Sequence, residues 1–321
     1  MYSSRVKTEK HIYWLVLPFA SGDNMKKVFH NAIKTQISSL TDNNFQNFID
    51  ELYSKIYGSE YISIKQKRDK GCDGIIINEK KILSVYSPEK YNINHFKSKL
   101  TKDFKSYKDN WATNNPYWSV VYNGKITSDR LLFLQNLKSD VDYVGIDKIM
   151  GKINQLTHTG QREIAYYLGV DNDFFVYNIF EVIVEDMLND ELIIEGDVSY
   201  HDSPPYIQDK IDLNYSRDDV DAAIGEYHEC LTRFQKLQAV LQAYEEDALS
   251  TLKLKLRRDY VKYNGGFKER LQSMTEEYSK NYLSDDEYIN NVRVVLIYLF
   301  EQCMIGEKTR EEKNVKASSR K

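Results

Sequence analysis

The fold is decided by one stretch of the sequence, Asp73-Gly-Ile-Ile-Ile-Asn-Glu-Lys-Lys-Ile-Leu-Ser-Val-Tyr86. Two runs rich in β-branched residues, at 75–77 and 82–86, flank a short polar segment, and this pattern predicts a β-hairpin. Pro88 follows shortly afterwards and ends the second strand, because proline lacks the N–H group that a strand ladder needs.

The flanking segments complete an α+β unit. Phe45, Phe48 and Leu52 recur at helical spacing before the hairpin, and Gly58 ends that helix. The predicted elements are a helix at 43–57, strands at 61–64, 75–77 and 82–86, a basic amphipathic helix at 95–110 and a strand at 117–122. This order of helix, three strands, helix and strand predicts a mixed sheet flanked by helices.

The second half of the sequence is mostly helical. Apolar faces predict helices at 174–189 and 285–303 and a long helical region at 218–259 with room for one break, and Pro204-Pro205 marks a connector. We therefore expect an α+β fold in three parts. These are an N-terminal nuclease-like domain at 1–155, a helical partner-binding domain at 156–307 and a disordered basic tail at 308–321.

Composition narrows the class of protein. The chain has 321 residues, of which 41% are hydrophobic and 29% charged, as expected for about two globular domains. No apolar run reaches the roughly 20 residues of a membrane helix, so we predict no membrane association and a cytoplasmic location. The three cysteines lack CxxC spacing, which argues against a disulfide framework or a cysteine-based zinc site.

Charge is distributed unevenly along the chain. Residues 61–110 contain 12 Lys/Arg and 6 Asp/Glu, a balance of +6, whereas residues 171–230 contain 2 and 17, a balance of −15. The basic part suits a polyanion such as DNA, and the acidic part suits a protein partner. The alternative interpretation, that these are ordinary solvated faces, applies to the basic part more readily than to the acidic part.

Asp73 is the leading candidate for chemistry. An acidic residue at the start of a hairpin strand, with polar residues on the next strand, resembles the core of the PD-(D/E)xK, or restriction-endonuclease-like, nucleases. Such a site uses carboxylates to hold Mg²⁺ (or Mn²⁺) and a lysine to orient the attacking water and offset the developing charge. The resemblance makes Asp73 a metal ligand and catalytic residue, and Glu51 on the preceding helix a second acid.

The sequence departs from that pattern on the second hairpin strand. The expected (D/E)xK positions are Ser84-Val85-Tyr86, without carboxylate or lysine. Glu89, beyond Pro88, and Lys70, from the loop before Asp73, are predicted to supply the missing groups. If they do not, the domain is a scaffold or an inactive DNA-binding relic. Contacts with DNA are expected from Lys65, Lys67, Arg68, Lys97 and Lys105.

A more specific resemblance rests on several short motifs. They are Phe45-Gln46, Asp69-Lys-Gly-Cys-Asp-Gly74 with Arg68 in place of a glycine, Val85-Tyr-Ser-Pro-Glu89, the segment 99–104 before Trp111, and Ser119-Val-Val-Tyr-Asn-Gly124. Together they resemble the nuclease-like N-terminal domain of ABC-ATPase three-component systems, prokaryotic conflict systems that include the Lamassu anti-phage systems. Pro205, Lys210-Ile211, Asn214 and Tyr298-Leu-Phe-Glu-Gln-Cys303 resemble the C-terminal helical domain of the same systems.

This resemblance implies a function for the whole chain. It would be a DNA endonuclease effector controlled by an SMC-like ABC ATPase, with a small third subunit and self-association on activation. The rival hypothesis is a non-catalytic DNA-binding or adaptor subunit of the same kind of complex. The charge distribution is compatible with both.

Overall fold

The computed structural model describes residues 23–64, 70–189, 206–302 and 304–307. Over these residues it has an α+β fold with one open, five-stranded mixed sheet, which confirms the predicted α+β class, whereas the restriction-endonuclease-like form of that class stays a prediction. The strands are β1 (Tyr61–Ser63), β2 (Gly74–Ile76), β3 (Lys81–Tyr86), β4 (Tyr117–Tyr122) and β5 (Asp142–Val144). The hairpin and the strand at 117–122 lie where the sequence pattern predicts them, whereas β5 was not predicted.

Helices flank the sheet and make up most of the second half. Those of the first half are α1 (Asp23–Ser39), α2 (Asp42–Tyr57), α3 (Ile93–Asn110), α4 (Ser128–Leu137) and α5 (Ile146–Asn154). Those of the second half are α6 (His158–Tyr167), α7 (Asn172–Asn189), α8 (Ile207–Asn214), α9 (Val220–Leu241), α10 (Glu246–Lys262), α11 (Phe267–Tyr278) and α12 (Asp286–Glu301). The long helix predicted at 218–259 is divided into α9 and α10.

The sheet has the strand order β1-β2-β3-β4-β5. The first three strands are antiparallel neighbours, and β3, β4 and β5 are parallel. Gly74 pairs with Leu83 in the hairpin, and Tyr86 pairs with Tyr122 across the parallel ladder. Helices α3 and α4 provide the two crossovers that parallel strands require.

Strand β3 is buried on both faces. Leu83 and Val85 join the larger apolar cluster, while Ile82 and Tyr86 join a smaller cluster under α3 and α4. Strands covered on both sides read as continuous hydrophobic runs, which explains the β-branched pattern from which the hairpin was predicted.

The larger cluster runs through both halves of the chain. It includes Phe48 of α2, Val85 of β3, Ile164 of α6 and Leu296 of α12. The domain boundary predicted at 155 lies in the turn between α5 and α6. The apolar core continues across this boundary, because residues from both sides belong to the same cluster. The division into domains at 1–155 and 156–307 stays a prediction, and the tail at 308–321 lies outside the described residues.

In the parts of the chain that the structure describes, no helix is both long enough and apolar enough to span a membrane.

Gly71 is expected to be essential for the packing of the loop before β2 against α3. Its φ is +74°, and a Cβ there would lie 2.8 Å from the carbonyl oxygen of Asp103. We expect Gly71→Ala to lower the free energy of unfolding by about 1–3 kcal/mol, through backbone strain and this close contact. Urea unfolding of the purified chain measures the change.

Gly151 in α5 provides the matched control, because a Cβ there would have no atom within 4 Å. Gly151→Ala should leave stability unchanged or raise it by up to about 1 kcal/mol, since alanine favours helix. Equal stabilities of the two variants would contradict the packing described for Gly71.

Candidate functional site

A polar cleft of about 670 Å³ opens where β3 ends, between the first turns of α2 and α3. The carboxyl ends of parallel strands are where open α/β sheets bind ligands, and β3 and β4 are parallel here. The polar residues lining the cleft include Asp42, Gln46, Asp73, Tyr86, His95 and Lys99.

Asp73 is held firmly at the edge of this cleft. It is 7% exposed, and its Oδ2 accepts a 2.6 Å hydrogen bond from the backbone N–H of Val85. Its own N–H donates to the Leu83 carbonyl at 2.8 Å. Gln46 of α2 donates from Nε2 to the Asp73 carbonyl at 3.2 Å. The carboxylate is therefore positioned by β3 on one side and by α2 on the other.

Ser84 faces away from the cleft. It is fully buried, its Oγ accepts a 2.9 Å hydrogen bond from Trp118 Nε1, and it donates to the Gly71 carbonyl at 3.2 Å. Tyr86 does line the cleft, and its buried hydroxyl has no hydrogen-bond partner among the described residues. Burial raises the pKa of this hydroxyl. The hydrogen-bond donor that β3 presents to the cleft is thus the neutral hydroxyl of Tyr86.

Glu51 is not brought together with Asp73. It forms a 3.1 Å ion pair with Lys55, which also binds Glu163 of α6 at 2.6 Å. The hydrogen bond to Glu163 and that to Glu51 raise the pKa of Lys55. The neighbouring acid, Asp50, faces the strands instead and accepts a 2.6 Å hydrogen bond from the hydroxyl of Tyr61. Glu51 therefore pairs within α2, where Lys55 joins that helix to α6, and it does not line the cleft.

The other predicted groups also lie apart from Asp73. Glu89 is exposed beyond Pro88 and does not line the cleft. Lys70 is exposed, and its carbonyl accepts a 3.3 Å hydrogen bond from Trp111 Nε1, at the far end of α3. Lys65, Lys67 and Arg68 lie outside the described residues.

Helix α3 presents a row of lysines that begins at the cleft. The exposed ones are Lys97, Lys99, Lys102, Lys105 and Lys108. Lys99 lines the cleft and binds the buried carboxylate of Asp103 at 2.6 Å. Lys97 and Lys105, predicted to contact DNA, are thus exposed on a basic helix that starts beside Asp73.

Sequence reasoning missed four of the polar residues that line the cleft: Asp42, Gln46, His95 and Lys99. The polar run at 41–44 indicated a helix start, but its contact with the end of β3 is long-range. There the Asp42 N–H donates to the Ser87 carbonyl at 2.8 Å. Lys99 was visible only as one of several lysines on the basic helix.

Comparisons with family models, curated proteins and solved structures found no match. The chemistry of the cleft must therefore be judged from its own residues.

The cleft offers hard oxygen donors, of the kind that suits Mg²⁺. Within the described residues, no three His, Cys, Asp or Glu side chains are grouped as a metal site. The carboxylates of Asp73 and Asp42 nevertheless line the same cleft. Mg²⁺ is commonly held by one or two carboxylates, with waters and substrate phosphates completing the shell. The donor set fits an ion that binds together with a phosphodiester.

Replacing Ser84 distinguishes a structural from a functional hydroxyl. Ser84→Ala would leave the buried Trp118 N–H without its acceptor, so we expect the free energy of unfolding to fall by about 1–3 kcal/mol. Binding of DNA should not change, because Ser84 does not reach the cleft. Urea unfolding and fluorescence anisotropy with labelled DNA measure the two effects.

Ser98→Ala is the control, since Ser98 lines the cleft on an exposed position of α3. This variant should keep wild-type stability. Full stability of Ser84→Ala, combined with weakened DNA binding, would refute the structural role.

Proposed function

We propose that this chain is a Mg²⁺-dependent DNA endonuclease whose site is the Asp73 cleft. The observation that carries the proposal is the shared position of Asp73 and Lys99. A carboxylate fixed at the end of β3 lines the same cleft as Lys99, a lysine near the start of the basic helix α3. That pairing is what phosphodiester cleavage requires: an anionic ligand for a metal and a cation for the phosphate.

Each residue of the cleft has a role in this proposal. Asp73 and Asp42 would hold the metal, which when bound supplies positive charge and a water of lowered pKa. Lys99 would bind a non-bridging phosphate oxygen, while its contact with Asp103 holds the ammonium group in place. The unpartnered hydroxyl of Tyr86 would donate to another phosphate oxygen. These groups bind and orient the phosphodiester.

The lysines of α3 would guide DNA toward the cleft. The helix has 18 residues and is about 27 Å long, which corresponds to roughly eight base pairs of duplex. Exposed lysines over this length would displace counterions from several phosphates, so binding should depend strongly on salt.

We further propose that the segment from α2 to β4 is a restriction-endonuclease-like core. Support comes from the order of its elements: a helix, an antiparallel three-stranded meander and a helix that leads into a parallel strand. Asp73 precedes the central strand of that meander, which is the position that the resemblance assigns to the first metal ligand.

The helical half is proposed to bind protein partners. Of the two basic residues within 171–230, Lys210 is 1% exposed, and its ammonium group donates to the carbonyl of Phe300. Its charge is therefore buried, and the acidic residues of this segment are not offset by it at the surface. Cations from outside the segment pair with Asp173, Asp219 and Glu226. The remaining acidic residues would disfavour DNA and favour a basic protein face.

Together these features support an effector of a cytoplasmic ABC-ATPase three-component anti-phage complex. The SMC-like ATPase and a small third subunit would be the partners. Few carboxylates line the cleft, which fits an enzyme that gains activity through self-association or assembly.

Plasmid nicking tests the nuclease proposal. The full chain, alone and co-purified with its neighbouring-gene partners, is incubated with supercoiled DNA and Mg²⁺ or Mn²⁺. We expect nicking that EDTA stops and that Asp73→Asn lowers by at least about 100-fold, since removing a metal-binding charge removes several kcal/mol of transition-state stabilisation.

Glu51→Gln is the matched control, because it also converts an acid to an amide but lies outside the cleft. It should keep nicking within about threefold of wild type, because exposed ion pairs contribute little. Equal loss of activity in both variants would contradict the site, and so would full activity of Asp73→Asn.

The second candidate is a non-catalytic DNA-binding adaptor. One observation favours it: the expected catalytic positions on β3 are a buried serine engaged by Trp118 and a neutral tyrosine. DNA binding without nicking, in the assembled complex as well as the isolated chain, would identify the adaptor.

Both candidates predict DNA binding by α3. In Lys97→Gln/Lys105→Gln, the slope of log K against log salt should become shallower by about 2, because two phosphate contacts are lost. Anisotropy titrations over a range of salt concentrations measure the slope. Lys262→Gln on α10, also exposed, should leave the slope unchanged. An unchanged slope in the α3 variant would remove this helix from the interface.

A further inference from the structure

A second polar cleft, of about 520 Å³, is lined by α1, the end of α5 and the helical half, and shares no residue with the Asp73 cleft. It opens between α1, the turn joining α5 to α6, helix α7 and the turn before α12. Its aliphatic lining residues are Leu156 and Val182, and the rest of its wall is polar or aromatic. Such a wall suits a hydrophilic molecule, and the volume is within the usual range for small-molecule sites.

His158 and Asp285 form a buried pair in the wall of this cleft. Asp285 Oδ2 accepts hydrogen bonds from the backbone N–H of His158 at 2.5 Å and lies 2.8 Å from its Nδ1. Its Oδ1 accepts from the N–H of Tyr288, so the carboxylate also caps α12. In the neutral imidazole that donates from Nδ1 to this carboxylate, Nε2 is the ring's remaining acceptor. No described residue hydrogen-bonds it.

Asn178 on α7 supplies a second free acceptor. The residue lines the cleft and is 3% exposed, and its Oδ1 is buried without a hydrogen-bond partner among the described residues. Buried polar atoms in native structures are almost always paired, because an unpaired one is costly. A buried acceptor beside an open polar cleft points to a donor that arrives with a ligand.

Lys26 adds a positively charged group to the wall that holds these two acceptors. Lys26 lines the cleft, and its ammonium group is 3.8 Å from the Glu185 carboxylate. Its backbone N–H donates to Glu181 at 2.7 Å, which fixes the start of α1 against α7. Burial and the nearby Lys26 lower the pKa of His30, which disfavours a positive charge on that imidazole. Lys26 therefore provides the positive charge of this wall.

We propose that this cleft binds a ribonucleotide-like sugar phosphate. Two acceptors without donors, Asn178 Oδ1 and His158 Nε2, match the hydroxyl donors of a sugar, and Lys26 matches its phosphate. Inorganic phosphate alone offers at most weak donors for these acceptors, and an apolar ligand leaves them unpaired. The site is independent of the proposed nuclease site, and through it the helical half would bind a small molecule.

Binding is tested on the full chain by calorimetry and thermal unfolding with AMP, GMP, CMP and UMP, and with dAMP and inorganic phosphate as comparators. We expect saturable binding of at least one ribonucleotide, with a higher melting temperature. Binding of dAMP, which lacks one hydroxyl, should be weaker by about tenfold, the loss of one hydrogen bond. Inorganic phosphate should be weaker still.

Asn178→Leu should raise the stability of the ligand-free protein and lower its affinity for the ribonucleotide. It removes the buried unpaired oxygen, so the ligand-free protein should melt at a higher temperature, while the ribonucleotide should bind about tenfold more weakly. A merely structural asparagine would show the reverse effect on stability.

Lys26→Met tests the phosphate contact at an exposed position, with Lys27→Met, its neighbour on α1, as the control. The first should weaken binding about tenfold and the second should not. Asp73→Asn should bind as wild type, which locates the ligand in this cleft. The proposal is overturned if no ribonucleotide binds at millimolar concentration, if inorganic phosphate binds equally well, or if Asn178→Leu and Lys26→Met bind as wild type.

Discussion

Burial of β3 on both faces is the constraint on which the remaining structure depends. A strand with two covered faces needs a layer of helices on each side, and here α3 and α4 form one while α2 and the helices packed with it form the other. The one hydroxyl in the middle of this strand, Ser84, is tolerated because Trp118 and the Gly71 carbonyl satisfy it. The same bonds tie the loop before β2 to the neighbouring strand.

Helix α2 forms one wall of the Asp73 cleft at the end of this strand. Its first residue is bonded to the carbonyl of Ser87, just beyond β3, and Gln46 reaches the Asp73 carbonyl one turn later. The start of the helix is thereby held against the carboxyl end of β3, where α3 also begins. The cleft is the space left between two helix beginnings and a strand end, and its polar lining follows from the capping and turn residues found at such places.

Much of the fold was accessible from sequence, because the signals were local. The continuous β-branched runs of the hairpin predict its strands, and the helical spacing of Phe45, Phe48 and Leu52 predicts both α2 and its buried face. β5 has three residues and no period to detect. The site was harder: adjacent residues on a helix point about 100° apart, which separates Asp50, facing the strands, from Glu51, facing α6. The approach of Asp42 to Ser87 spans 45 positions and leaves no local trace.

The ion pairs of Lys55 have a mechanical consequence. One ammonium group binds Glu51 of α2 and Glu163 of α6, so the two helices are fastened together on the side of α2 away from the cleft. Over its 16 residues α2 is a stiff rod, and the same rod carries Gln46 to Asp73. Together with the packing of Phe48 against Tyr167, this contact links the position of α6, through α2, to the wall of the Asp73 cleft.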